Sequence, residues 1–130
     1  MGILLEVSVG ELIDRMTILE IKAVELRPAL RRAARRELRS LARKKEREVV
    51  AVEGLEELTI ELRSINRTLW DVEETLRKFE NTSSFGVTFV EAARSVYRLN
   101  DRRAAVKLAI DRLVGSNREE LKSFELPALS

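Results

Sequence analysis

Cysteine and histidine are both missing from this 130-residue sequence. Without thiols there is no disulfide and no thiol chemistry. Without imidazoles, the usual zinc sites and every mechanism built on a histidine base are excluded. Aromatic residues are few, with one Trp, one Tyr and four Phe. Glycine (5) and proline (2) are also scarce, which suits long helices joined by few connections. No Gly-rich phosphate loop and no Gly-x-Ser-x-Gly elbow occurs. No apolar run approaches the length needed to cross a bilayer, and Met1 to Glu6 is too short for a signal peptide. A cytoplasmic location is therefore expected.

What is present is a chain 45% apolar and 35% charged, long enough for one domain with a real core. Its net charge of +2 hides a strong asymmetry. Arg27 to Glu48 holds ten Lys/Arg against three Glu, a local +7. The remainder holds fourteen Lys/Arg against nineteen Asp/Glu, a local −5. That polarity says more than the total does.

The chain is organised around Leu55-Leu58-Leu62-Ile65-Leu69-Val72-Leu76-Phe79, with spacings of 3, 4, 3, 4, 3, 4 and 3. An unbroken heptad seam belongs to an α-helix that lays one narrow stripe into a partner helix, as in a coiled coil or bundle. Ahead of it, Ser8-Val9-Gly10-Glu11 reads as a capping box, with Ser8 and Glu11 each satisfying a free backbone amide. Leu12, Met16, Leu19, Ala23 and Leu26 then repeat at helical spacing, and Ile13, Ile18, Ile21 and Val24 broaden that face. Residues 3 to 7 are apolar and irregular, suited to a strap over the bundle. Pro28 predicts a kink or a short break. Leu30, Ala34, Leu38 and Leu41 resume the pattern, which fades near Val50, and Gly54 marks a turn. After the loop Asn81-Thr82-Ser83-Ser84, a second capping box with Thr88 as cap and Glu91 reaching back opens the last helix. That helix carries Phe89, Ala92, Val96, Leu99, Arg103, Val106, Ile110 and Leu113, and Gly115 is a natural C-terminal cap. The fold class expected is all-α: an antiparallel hairpin or three- to four-helix bundle with coiled-coil-like heptad seams. The helices fall at about 9–26, 29–50, 54–80 and 88–114, in one domain over 1–115 with a partly ordered tail over 116–130.

Four stretches carry a resemblance. They are Val7-Ser8-Val9-Gly10-Glu11-Leu12, Thr17-Ile18-Leu19-Glu20-Ile21-Lys22, Leu69-Trp70-Asp71-Val72-Glu73, and Ala93 to Ala104 with Arg94, Ser95, Val96, Tyr97, Leu99, Asn100, Asp101 and Arg103. Together they resemble a small bacterial family known only as a domain of unknown function, some of whose members sit near glycosyltransferase and surface-polysaccharide genes. The resemblance spans the chain apart from the basic segment and the tail. It brings no catalytic residue with it, and gene neighbourhood is analogy rather than a site argument.

Two groups of residues are candidates for function. The first is Arg32, Arg36, Arg39, Arg43 and Arg47, a stripe roughly 80° wide and about 22 Å long, nearly opposite Leu30, Ala34, Leu38 and Leu41. Five guanidinium groups on one outward face suit successive phosphates or another polyanion. No aromatic lies in the segment, so binding of nucleic acid would be driven by its backbone. The plainer reading is a solvated face, balanced in part by Glu53, Glu56, Glu57 and Glu61 across an antiparallel turn.

The second group is Asn66, Trp70 and Glu73 on the seam helix, with Arg94, Tyr97, Asn100, Asp101 and Arg103 on the last. Arg103 occupies a seam position and needs a carboxylate, for which Asp14, Glu20, Glu73 and Glu74 are available. A buried ion pair that fixes helix register is the structural reading. The functional reading is a pocket for a small anionic ligand lined by Arg94, Arg103 and Trp70.

Enzymatic readings fare worse. All-α nucleotide pyrophosphohydrolases hold magnesium with paired Glu-x-x-Glu and Glu-x-x-Asp motifs. Glu53-x-x-Glu56 and Glu11-x-x-Asp14 stand in the reverse chain order and at helix starts. Helical chorismate mutases use a cationic pocket, but the spacing of Arg15, Lys22, Arg94 and Arg103 does not reproduce it. No catalytic residue, metal or cofactor is assigned. The sequence is expected to be a helical interaction or assembly module that self-associates, as a dimer first of all, or takes a partner helix. Polyanion binding comes second, and a ligand pocket near Trp70 and Arg103 third.

Overall fold

The computed structural model describes residues 1–125, with side chains described through Gly115. Four helices follow one another: α1 (Val9–Glu25), α2 (Pro28–Glu48), α3 (Leu55–Asn81) and α4 (Val87–Glu125). The chain is all-α, and α3 and α4 form a long antiparallel hairpin that carries α1 on one side. Contacts between α1 and α4 set their directions. Gly10 with Asp111, Glu11 with Lys107 and Asp14 with Arg103 run in opposite sequence order, so α1 lies antiparallel to α4. In turn α2 folds back along α1, packing Ala34, Leu38 and Leu41 against Leu19 and Ala23.

The heptad seam of α3 supplies the main core. Leu55, Leu62, Ile65 and Leu69 are buried together with Ile13 of α1 and Val106, Ile110 and Val114 of α4. Three helices meet there. Further out, Val72, Leu76 and Phe79 continue the same seam but are only half-buried, because α4 alone covers them. Phe79 meets Phe89 edge to face at 6.3 Å near the hairpin tip, and Phe89 meets Phe85 at 5.2 Å.

Local signals explain most helix ends. Ser8 caps α1, accepting from the Glu11 N–H at 3.1 Å. The second half of the expected capping box is replaced, since the Glu11 carboxylate is taken by Lys107 and Arg15. Pro28 produces a full break: Leu26 and Arg27 are extended, and Pro28 opens α2, where its missing N–H costs nothing. Gly54 caps α3 with φ 93°, a left-handed conformation natural to glycine. At the other end of α3, Ser83 is left-handed (φ 51°), the Ser84 N–H reaches the Phe79 carbonyl and the Ser83 N–H reaches that of Glu80. This is a Schellman termination with serine where glycine is usual.

Three expectations are corrected. First, α4 begins at Val87, one residue before Thr88, and its first bond runs from the Val90 N–H to the Gly86 carbonyl. Thr88 is therefore inside the helix rather than its cap. Second, α4 continues through Gly115 to Glu125, because nothing at Gly115 demands a left-handed residue, and an ordinary helical glycine costs only about 1 kcal/mol. The expected tail thus begins inside a helix, and its last residues, 126–130, lie outside the described residues. Third, the apolar N-terminal segment does not strap the bundle: Ile3, Leu4 and Leu5 are 80% exposed or more.

Candidate functional site

One buried polar cluster holds α1 to the hairpin. Its centre is Asp14, second-turn residue of α1, whose side chain is 2% exposed. The heptad register of α4 aims Arg103 inward at this height, and its guanidinium grips both carboxylate oxygens, Nε to Oδ1 at 2.9 Å and Nη2 to Oδ2 at 2.5 Å. From α3, Asn66 donates to Asp14 Oδ1 at 2.9 Å and to Thr17 Oγ1 at 2.8 Å. The Thr17 hydroxyl in turn donates to the Asp14 carbonyl oxygen at 2.8 Å. Lys107 lies one turn on from Arg103, bonded to Glu11 at 2.5 Å and 3.8 Å from Asp14. At the far edge the Gly10 N–H, free at a helix start, donates to Asp111 Oδ1 at 2.7 Å. A Cβ on Gly10 would overlap the Lys107 carbonyl oxygen, so glycine is what lets α1 and α4 approach.

The electrostatics of the cluster are closed. Burial alone would raise the Asp14 carboxyl, but hydrogen bonds from Arg103 and Asn66 outweigh it and hold the group below its ordinary value of 3.8. Glu11 is lowered chiefly by its bond to Lys107. The bond to Asp14 raises Arg103 further above its usual range, with weaker help from Glu11 and Glu73. Among the described residues no buried side-chain polar atom lacks a partner. Two more pairs, Arg63 with Glu20 and Arg67 with Glu25, continue the attachment of α1 along α3. Such a cluster orients helices.

The second candidate group is therefore divided. Asn66 and Arg103 share Asp14, Trp70 is half-buried beside them, and Glu73 is exposed but near enough to act on Arg103. Arg94, Tyr97, Asn100 and Asp101 are exposed along α4. A cleft of about 440 Å³ lies elsewhere, where Met16, Lys45, Val52 and Glu56 meet at the start of α3. Among the described residues no three carboxylates gather as a metal-holding group. Sequence reasoning missed Thr17, Lys107 and Asp111 as members of the cluster. Their signal was faint, since a lone threonine or lysine on a helix looks the same whether or not a second helix lies over it.

The arginine face has the opposite character. Arg32, Arg36, Arg39, Arg43 and Arg47 are all exposed, and Arg35 joins Arg32, Arg36 and Arg39 around one shallow groove. Only Ala34 of α2 is buried. The expected balancing by acidic residues of α3 is not found: among the described residues every ion pair lies within or between α1, α3 and α4, and none involves α2. The antiparallel turn leaves Glu56 on the cleft shared with Lys45 but not bonded to it.

Comparison with known proteins bears on both surfaces. The pattern of a family of unknown function (DUF6165) matches residues 3–129. The chain belongs to this family. The match includes Arg27 to Glu48 and the C-terminal residues, so the basic segment, which the resemblance in sequence had left out, is part of the family's pattern. The exposed Ile3-Leu4-Leu5 run is inside it too. No curated protein and no solved structure matches the chain. Among the described residues no helix is long and apolar enough to cross a membrane.

Proposed function

We propose that this chain is a non-catalytic helical interaction module in which α2 is a cationic arm for a polyanionic partner. The observation that supports it is the contrast between α2 and the rest. Outside α2, Arg63, Arg67, Arg103 and Lys107 are tied to carboxylates of another helix, whereas the ten cations from Arg27 to Arg47 are in no ion pair among the described residues. Holding so many like charges on one helix without partners is unfavourable to the isolated chain and favourable only when an anion arrives. The apolar face of α2 is occupied by α1, so the arm offers charge and hydrogen bonds rather than a surface for lipid insertion. Guanidinium groups dominate, and they match phosphate geometry in a bidentate fashion.

A pocket for a small anion at Arg103 has less support, because that guanidinium is already committed to both oxygens of Asp14. The arm is tested by fluorescence anisotropy with a single-stranded oligonucleotide as probe. If Arg32, Arg36, Arg39, Arg43 and Arg47 each meet a phosphate, log K should fall against log salt with a slope of about −3.5. The variant R32E/R39E/R47E should lose binding while circular dichroism shows its helices intact. Equal binding by that variant would refute the reading.

A further inference from the structure

A second heptad stripe runs along α4 on the face turned away from α3. Val87, Val90, Arg94, Tyr97, Asp101, Ala104 and Leu108 follow at spacings of 3, 4, 3, 4, 3 and 4. At 100° per residue they fall within an arc of roughly 100°, nearly opposite the inner seam through Val96, Leu99 and Val106. All seven are exposed, Val87 and Tyr97 to 74% and Val90 and Leu108 to 48%. The inner seam is filled by α3. The outer one repeats the same pattern with nothing over it, and that pattern is what one helix offers to another.

The two charged positions in the stripe identify the occupant. Arg94 and Asp101 lie seven residues apart, carry opposite signs, and are in no ion pair among the described residues. Place a second α4 antiparallel over the first, with a twofold axis at Tyr97. Arg94 then faces the partner's Asp101, and Asp101 faces the partner's Arg94. The apolar positions match in the same register, Val87 with the partner's Leu108 and Val90 with the partner's Ala104, while the two tyrosines meet at the axis. A parallel arrangement would set arginine against arginine and aspartate against aspartate, which is repulsive. The stripe is complementary to itself in one direction only, as an isologous interface requires.

We propose that two copies of this chain pair through this stripe, α4 antiparallel to α4 about a twofold axis at Tyr97. The contact spans three heptads, about 32 Å of helix, and is independent of any ligand held by α2. Dimerisation that rises with concentration is expected in sedimentation, reaching twice the 14.9 kDa of one chain. R94D and D101R should each weaken the dimer about tenfold by opposing like charges twice. An equimolar mixture of the two variants should recover it as a heterodimer. Because the chain has no cysteine, single thiols report the geometry cleanly. Oxidised Tyr97→Cys should form a covalent dimer, whereas Leu108→Cys, about 33 Å from its counterpart in the antiparallel pairing, should not. A chain that stays monomeric at millimolar concentration, a mixture that associates no better than its components, or Leu108→Cys cross-linking as readily as Tyr97→Cys would each overturn the proposal.

Discussion

Asp14 shows how one side chain decides the placement of a helix. Its carboxylate is almost fully buried and survives as an anion because Arg103, Asn66 and, at longer range, Lys107 surround it. With Asp14 and Glu11 both held below their ordinary values of 3.8 and 4.5, the folded chain releases these protons more readily than the unfolded one. The stability they contribute is complete above those ordinary values and is lost as pH falls through the lower folded-state values. Thermal midpoints should therefore drop steeply below about pH 4. Asp14→Asn should destabilise the chain by about 2 kcal/mol at pH 7, since it leaves the half-buried Arg103 guanidinium without its counter-charge. It should also flatten the acid limb of the pH profile. A pH-dependent melting series on both proteins measures the two effects, and an unchanged acid limb in the variant would place the titration elsewhere. That Arg103 needs a carboxylate was readable from its seam position. Which of four carboxylates answered was not, because the choice depends on where α1 lies.

At the scale of the element, the chain's own punctuation did most of the work. The heptad spacing of α3, the Ser8 cap and the Pro28 break follow from residue types acting on their immediate neighbours. Where a distant residue competed, local reasoning failed. Glu11 left its capping role because Lys107 of α4 offers a charged partner within reach. The end of α3 shows a local rule obeyed at a cost. Its Schellman turn forces Ser83 into a left-handed conformation that disfavours side chains by about 1 kcal/mol. Ser83→Gly should raise stability by up to about 1 kcal/mol, measured by urea denaturation, because glycine adopts that geometry without strain. A destabilised Ser83→Gly would mean that the extra freedom glycine gives the unfolded chain outweighs the strain it relieves.

For the whole molecule, burial depends on how many helices meet at each height, and this is what the sequence states least directly. The α3 seam repeats unchanged from Leu55 to Phe79, yet its first half is buried among three helices and its second half is half-exposed between two. Similarly, α2 repeats apolar residues as regularly as its neighbours but buries only Ala34, because it touches α1 and little else. Stability should be distributed accordingly. In hydrogen exchange, amides of α2 should open about tenfold or more faster than those around Leu62 to Leu69 of α3. Uniform protection across both helices would show that the arm folds as one cooperative unit with the body. The asymmetry of charge was legible at once. That the acidic residues of α3 leave it uncompensated was not, since proximity in the chain did not become contact.

The pair between α1 and α4 also sets terms of descent. Asp14 and Arg103 stand 89 positions apart in the chain, yet exchanging either alone leaves the other's charge without its partner, inside the protein for Asp14 and at its half-buried edge for Arg103. A lineage can leave this arrangement only by passing through a weakened intermediate or by altering both sites in step. For the purposes of heredity, two codons 89 positions apart behave as one.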